Sequence, residues 1–164
     1  PAVVPIKGSK SKSGIIVKGI HDLAVRFSKC CSPVPGDEIV GFVTRGRGIT
    51  IHRTDCINVL NLPEIERSRL IDAEWQGIEE DNSAATYSTE ISIFANNRIG
   101  MFVDISKIFT EREIDIKTMN SRVNKQGKAT ITMGFDIHGI EELNNLMAKL
   151  RQIDGVLDIE RTTG

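Results

Sequence analysis

The sequence predicts an α+β protein made of two compact units: a small α/β unit carrying the cysteines, then a βαββαβ unit with a four-stranded antiparallel sheet. Three observations predict it. Tyr87, Thr89, Ile91, Ile93 and Ala95 alternate with polar residues at strand period, whereas Met101, Ile105, Ile108 and Phe109 recur at helical spacing. Runs of the two kinds follow one another through the second half in the order strand, helix, strand, strand, helix, strand. Two polar, aperiodic stretches, 1–13 and 78–86, read as linkers and leave units at 14–77 and 87–164.

In the first unit, Gly14–Gly19 reads as a strand and His21–Lys29 as a short helical segment with Leu23, Val25 and Phe27 on its apolar side. Ser32-Pro33-Val34-Pro35-Gly36-Asp37 is a rigid turn, because each proline fixes φ and the glycine permits reversal. Glu38–Thr44 and Ile49–His52 read as strands joined by Arg45-Gly46-Arg47-Gly48. Thr54 or Asp55 is placed to cap a short helix over Cys56–Leu62, which Pro63 stops. Leu70–Trp75 closes the unit as a strand.

In the second unit, Asn96-Asn97-Arg98-Ile99-Gly100 interrupts the first strand pattern, and a helix begins at Met101 with Phe102 widening its apolar stripe. A strand over Ile116–Val123 runs into Asn124-Lys125-Gln126-Gly127, a turn signal. Ala129, Ile131, Met133, Phe135 and Ile137 alternate in the next strand. Ile140, Leu143, Leu146, Met147 and Leu150 form a second amphipathic helix ended by Asp154-Gly155. Val156–Arg161 is the last strand. This is the split βαβ, or ferredoxin-like, order. Right-handed crossovers place both helices on one face of the sheet, and the free edges invite pairing with a second copy.

Composition narrows the function classes. The chain has 164 residues, 40% hydrophobic and 26% charged, which argues against wholesale disorder. No apolar run approaches the roughly 20 residues that span a bilayer. Three cysteines, two of them adjacent, make a poor disulfide framework, so a reducing cytoplasm is the default. The start at Pro1 in a Ser/Lys-rich stretch reads as a piece of a longer protein. The net charge of −1 hides a split: residues 1–60 hold 9 Lys and Arg against 4 Asp and Glu, and residues 61–164 hold 12 against 18. A polyanionic partner suits the first part.

Cys30, Cys31, His52 and Cys56 are candidate metal ligands. His52 and Cys56 are four apart, so one helical turn would aim both at one ion, and thiolates with an imidazole are the donors of structural zinc. The competing reading is that the adjacent cysteines are small buried apolar residues. Arg45-Gly46-Arg47-Gly48, with Arg53 and Lys29, reads either as a phosphate-contacting loop or as a hairpin turn with solvated arginines. No aromatic residues interleave it, so backbone contact is favoured over base stacking. Asn97-Arg98-Ile99-Gly100 ahead of a helix reads either as a carboxylate site at the helix N-terminus or as an ordinary βα turn. No catalytic constellation stands out, because His21, His52 and His138 are scattered and no phosphate-loop pattern is present.

The run Lys29-Cys30-Cys31-Ser32-Pro33-Val34-Pro35-Gly36-Asp37-Glu38-Ile39-Val40-Gly41, followed by Thr44-Arg45-Gly46-Arg47-Gly48-Ile49-Thr50-Ile51-His52-Arg53-Thr54-Asp55-Cys56, closely resembles the conserved-cysteine domain of the RelA/SpoT family. That domain is also called the zinc-finger or ribosome-intersubunit domain. The βαββαβ unit resembles the ACT domain that ends those proteins, the long stringent-response (p)ppGpp synthetases and hydrolases. The resemblance implies a parent that transfers pyrophosphate from ATP to GTP or GDP with Mg and, in many members, degrades the product in a Mn-dependent domain. Both active sites lie N-terminal to this piece, which carries no catalytic residues.

The resemblance further implies a regulatory module that senses amino-acid starvation by binding the stalled ribosome with deacylated tRNA. Lys29, Arg45, Arg47 and Arg53 would contact rRNA, and Cys30, Cys31, His52 and Cys56 would hold zinc. ACT domains use the motif Asp-Arg-x-Gly-x-Leu in the first βα loop, and here the loop reads Asn97-Arg98-Ile99-Gly100-Met101-Phe102. By analogy it would bind a branched-chain amino acid at the interface of an ACT homodimer.

Overall fold

The structure is a computed structural model that describes residues 15–17, 24–46, 48–75 and 85–162. The expected linker at 1–13, most of that at 78–86, Gly14, residues 18–23 and Arg47 lie outside these. The chain divides into two compact units, one drawn from Pro1–Pro33 and Asp37–Asn82, the other from Val34–Gly36 and Ser83–Thr162.

The first unit is a mixed sheet with two single-turn helices among its described residues. Its elements are β1 (Ile15–Val17), β2 (Val25–Phe27), β3 (Ile39–Thr44), β4 (Gly48–Arg53), α1 (Ile57–Leu60), α2 (Glu64–Arg67) and β5 (Leu70–Trp75). The strand order is β1-β5-β3-β4-β2. β3 and β4 form an antiparallel hairpin from Ile39↔Arg53 to Thr44↔Gly48. Gly48 has φ of 91°, and a Cβ there would sit 2.2 Å from the Ala24 carbonyl oxygen, so both conformation and space demand glycine. Alternation along β4 puts Ile49 and Ile51 into a core with Ile15, Val17 and Ala73, and turns Thr50 and His52 to the other face.

The helix expected over His21–Lys29 is corrected. Its described part contains a strand, β2, which pairs in parallel with β4 (Val25↔Ile49, Phe27↔Ile51). Val25 and Phe27 flank Arg26, a strand pattern, and the Ala24 carbonyl and Ser28 N–H extend the β4 ladder. The cap expected at Thr54 or Asp55 is also corrected. The N-cap is Cys56, without a side-chain cap, and Asn61 ends the helix. Thr54 and Asp55 instead turn their side chains to Glu38 and Arg53.

The second unit has the expected βαββαβ order: β6 (Tyr87–Asn96), α3 (Met101–Glu111), β7 (Ile116–Val123), β8 (Lys128–Ile137), α4 (Ile140–Arg151) and β9 (Val156–Arg161). Its sheet is antiparallel in the order β7-β8-β6-β9. Ile91, Ile93, Ala95, Ile131, Met133 and Phe135 share one face and pack on Met101, Ile105 and Phe109 of α3 and Leu143, Leu146 and Leu150 of α4. Phe109 and Phe135 meet edge to face with centroids 5.1 Å apart. The edge strand β7 breaks the pattern, since every residue after Ile116 is exposed. Among the described residues, no helix is long and apolar enough to cross a membrane.

Candidate metal centre and basic hairpin

Three segments bring the four predicted metal ligands together. A turn at Lys29–Cys31, followed by Ser32 at φ of 46°, lets two adjacent cysteines face one point. His52 sits near the end of β4, and Cys56 opens α1 beyond a tight turn. His52 and Cys56 therefore converge across a strand–turn–helix corner, which corrects the single helical turn expected from their spacing. The donor atoms of Cys30, Cys31, His52 and Cys56 all lie within 4.8 Å of one another. Cys30 Sγ is 3.4 Å from His52 Nδ1, 3.4 Å from Cys56 Sγ and 4.0 Å from Cys31 Sγ.

Metal bonds of about 2.0–2.3 Å in a tetrahedron separate neighbouring donors by roughly 3.5–3.8 Å. The observed separations bracket that value, so these residues fit a tetrahedral ion of the zinc type. Four protein donors would fill the coordination sphere of such an ion, the arrangement of a structural site.

Electrostatics support the same fit. Burial raises the Cys30 thiol, but hydrogen bonds from Ser28, Asn58, Cys56 and Cys31 outweigh it and bring its pKa below the ordinary thiol value. Burial pushes the Cys31 thiol well up, against the Arg53 N–H and with help from Cys30 and Cys56. Burial, then the Cys30 hydrogen bond, raises Cys56. Burial lowers His52, keeping its imidazole neutral and able to donate a lone pair. The raised thiols are stable without charge, and a divalent cation bound there would supply the field that favours the thiolates.

Sequence reasoning missed three supporting groups. Ser28 Oγ lies 2.8 Å from Cys30 Sγ, the Arg53 backbone N–H donates to Cys31 Sγ at 3.3 Å, and the Asn58 side chain and backbone N–H reach Cys30 and Cys56. Ser28 was legible as a hydroxyl two residues before a cysteine; the others depend on the corner geometry.

The basic residues separate. Arg45 is exposed at the hairpin tip, with a side chain 86% accessible and 4.0 Å from Glu66. Lys29 is exposed in the cysteine turn, and Arg47 lies outside the described residues. Arg53 is buried: its guanidinium donates to the Cys31 carbonyl at 3.4 Å and to Asp55 Oδ2 at 2.5 Å. It is committed within the protein, unlike Lys29 and Arg45.

In the second unit, Gly100 caps α3 at φ of 84°. Arg98 donates to the Asp154 carbonyl at 2.8 Å and to Asp104 Oδ2 at 2.6 Å, which ties the helix start to the turn before β9. The Asn97 N–H bonds the Gly127 carbonyl, Met101 is buried, and Ile99 is 99% exposed. The loop residues thus come together, with the guanidinium of Arg98 already engaged.

Residues 15–76 match the family model of the RelA/SpoT RIS domain, and residues 83–161 match that of the ACT domain. The chain is 36% identical over 161 residues to a GTP pyrophosphokinase of Escherichia coli strain K12, covering 98% of this chain and 21% of that protein. It is 31% identical over 150 residues to a GTP pyrophosphokinase of Streptomyces coelicolor, covering 92% and 17%. A crystal structure of the ACT domain from the GTP pyrophosphokinase of Chlorobium tepidum aligns over 47% of this chain and 99% of that one, with 26% identity and a TM-score of 0.43. The chain spans about a fifth of the length of the curated relatives it matches. With a RIS domain followed by an ACT domain, and homology over nearly its whole length to the C-terminal region of GTP pyrophosphokinases, the chain belongs to the RelA/SpoT family.

Proposed function

We propose that this chain is the regulatory, non-catalytic C-terminal part of a cytoplasmic stringent-response (p)ppGpp synthetase/hydrolase. It senses stalled ribosomes carrying deacylated tRNA through rRNA contacts and controls an ATP:GTP pyrophosphotransferase in the N-terminal part of the parent. The observation that carries this reading is the pairing, in one small unit, of a four-donor Cys/His cluster with a glycine-bearing hairpin whose Arg45 side chain points into solvent. A structural zinc held by Cys30, Cys31, His52 and Cys56 fixes the loop that presents Lys29 and stiffens the hairpin that presents Arg45. An arginine fork and a lysine so held recognise phosphate by charge and geometry and not by base sequence. Co-sedimentation with ribosomes tests this. The native chain pellets with them, whereas a chain with Lys29, Arg45 and Arg47 all changed to Glu stays in the supernatant. Equal pelleting of the two rejects the rRNA role.

A second reading adds amino-acid sensing by an ACT homodimer. One observation favours pairing through β7. Register places Met119 opposite Met133 and Val123 opposite Ala129, on the core-facing side of the sheet, yet they remain 52% and 50% exposed. A second copy joined along this edge covers them. The Asn97–Met101 loop is the proposed site for a branched-chain amino acid. Binding there requires the ligand carboxylate to compete with Asp104 for Arg98. Calorimetry with valine, leucine and isoleucine decides it: saturable heat supports the site, and none at millimolar ligand removes it.

A further inference from the structure

We propose that Arg53 is a positioning residue for the Cys/His centre, its guanidinium stapling together the segments that carry the ligands. The inference rests on the metal reading above and assigns a role to a residue that composition alone marks only as one more basic charge.

Three contacts meet at this one residue. Its backbone N–H donates to Cys31 Sγ at 3.3 Å. Its guanidinium donates to the Cys31 carbonyl at 3.4 Å and to Asp55 Oδ2 at 2.5 Å. Cys31 belongs to the first ligand segment, Asp55 immediately precedes Cys56 in the third, and Arg53 follows His52 in the second. All three ligand-bearing segments are thereby tied to one side chain.

Burial makes the arrangement specific. The Arg53 side chain is 8% exposed, whereas its Asp55 partner is 59% exposed. A guanidinium withdrawn from water is costly unless its donors are used, and here they are spent on the cysteine loop and on the carboxylate beside the last ligand. Its charge also suits the centre. Three thiolates around a divalent ion leave one negative charge in excess, which a fixed neighbouring cation offsets. Lysine cannot do the same work, since a single ammonium lacks the planar fork that spans both partners. Thr54 Oγ1 adds a contact to Glu38 at 3.4 Å, so the turn between His52 and Cys56 is held from both sides.

The test loads the full chain with zinc(II) and with cobalt(II), and measures zinc affinity by chelator competition alongside the thiolate-to-cobalt charge-transfer and ligand-field bands. Arg53→Ala weakens zinc binding by roughly 10–100-fold, the range for groups that orient metal ligands, and shifts the cobalt bands. Arg53→Lys falls between it and the native chain. Ile49→Val, which thins the same unit's core, leaves both readouts unchanged. If Arg53→Ala fails to fold, Asp55→Asn decides: a several-fold loss with shifted bands supports the staple, and native values overturn it. Native affinity and bands in a folded Arg53→Ala chain overturn it directly, as does an equal loss in Ile49→Val. A native chain that binds neither metal refutes the metal reading itself, and this role with it.

Discussion

Cys30 and Cys56, 26 positions apart in the chain, hold their sulfurs 3.4 Å from one another as free thiols. A disulfide would bring them to about 2.05 Å, and an edge of a thiolate–metal tetrahedron to nearly 3.8 Å. The observed separation lies nearer the second value. Cys56→Ser or His52→Ala should therefore cost more zinc affinity than the roughly 10–100-fold attached to an outer partner. Amide hydrogen exchange gives a local readout: chelation should accelerate exchange at the Arg53 and Ser32 N–H groups and leave the β6–β8 ladder protected. Uniform acceleration across both units would count against a local structural ion.

The pH dependence follows from the direction of each shift. Cys31 and Cys56 are raised by burial, so at pH 7 each gives up a proton when metal binds, whereas His52, lowered by burial, gives up none. Titration calorimetry in buffers of different ionisation enthalpy should show proton release, and a buffer-independent enthalpy would contradict it. In the metal-free chain the His52 effect has a definite sign. Its folded pKa is below the unfolded value near 6.5, so below about that pH the unfolded state takes up the proton first. Stability of the first unit should rise with pH through that window and fall as acid is added.

Salt dependence separates phosphate contacts from buried charge. Each phosphate contact contributes about 0.7–0.9 to the slope of log K against log salt. Arg45→Ala and Arg47→Ala should each lower the slope for rRNA binding by about that amount. Arg53→Ala should leave the slope unchanged, because the side chain it removes faces Cys31 and Asp55. An equal drop for all three would place Arg53 on the RNA.

The second unit should respond to core thinning by itself. Phe109 is 1% exposed and packs on Phe135, so Phe109→Ala should cost about 3–5 kcal/mol by chemical denaturation of that unit. Met119→Lys, by contrast, should leave stability nearly unchanged, and sedimentation at rising concentration should show loss of self-association. A dimer that survives the substitution would exclude the β7 edge.

Much of this was legible in the residues, and the exceptions have physical causes. The alternation of Ile91, Ile93 and Ala95 and the spacing of Met101, Ile105 and Phe109 are long enough to fix the type of each element and the split βαβ order. Val25–Phe27 is too short for period to decide, and its strand state comes from pairing with β4, a tertiary contact. Thr54 and Asp55 have capping side chains, but each found a partner elsewhere. The four metal donors were visible by residue type, while their convergence depends on a left-handed Ser32 and on the corner after β4. The burial of Arg53 was hidden by its charge, although its place two residues after Ile51 and four after Ile49 puts it in register with the core-facing side of β4.

The most direct measurement is metal content and X-ray absorption on the purified full chain. The account predicts one zinc per chain, bound by three sulfurs at about 2.3 Å and one nitrogen at about 2.0–2.1 Å. A chain that retains no metal after purification with zinc present, or an ion bound mainly by oxygen, would contradict it.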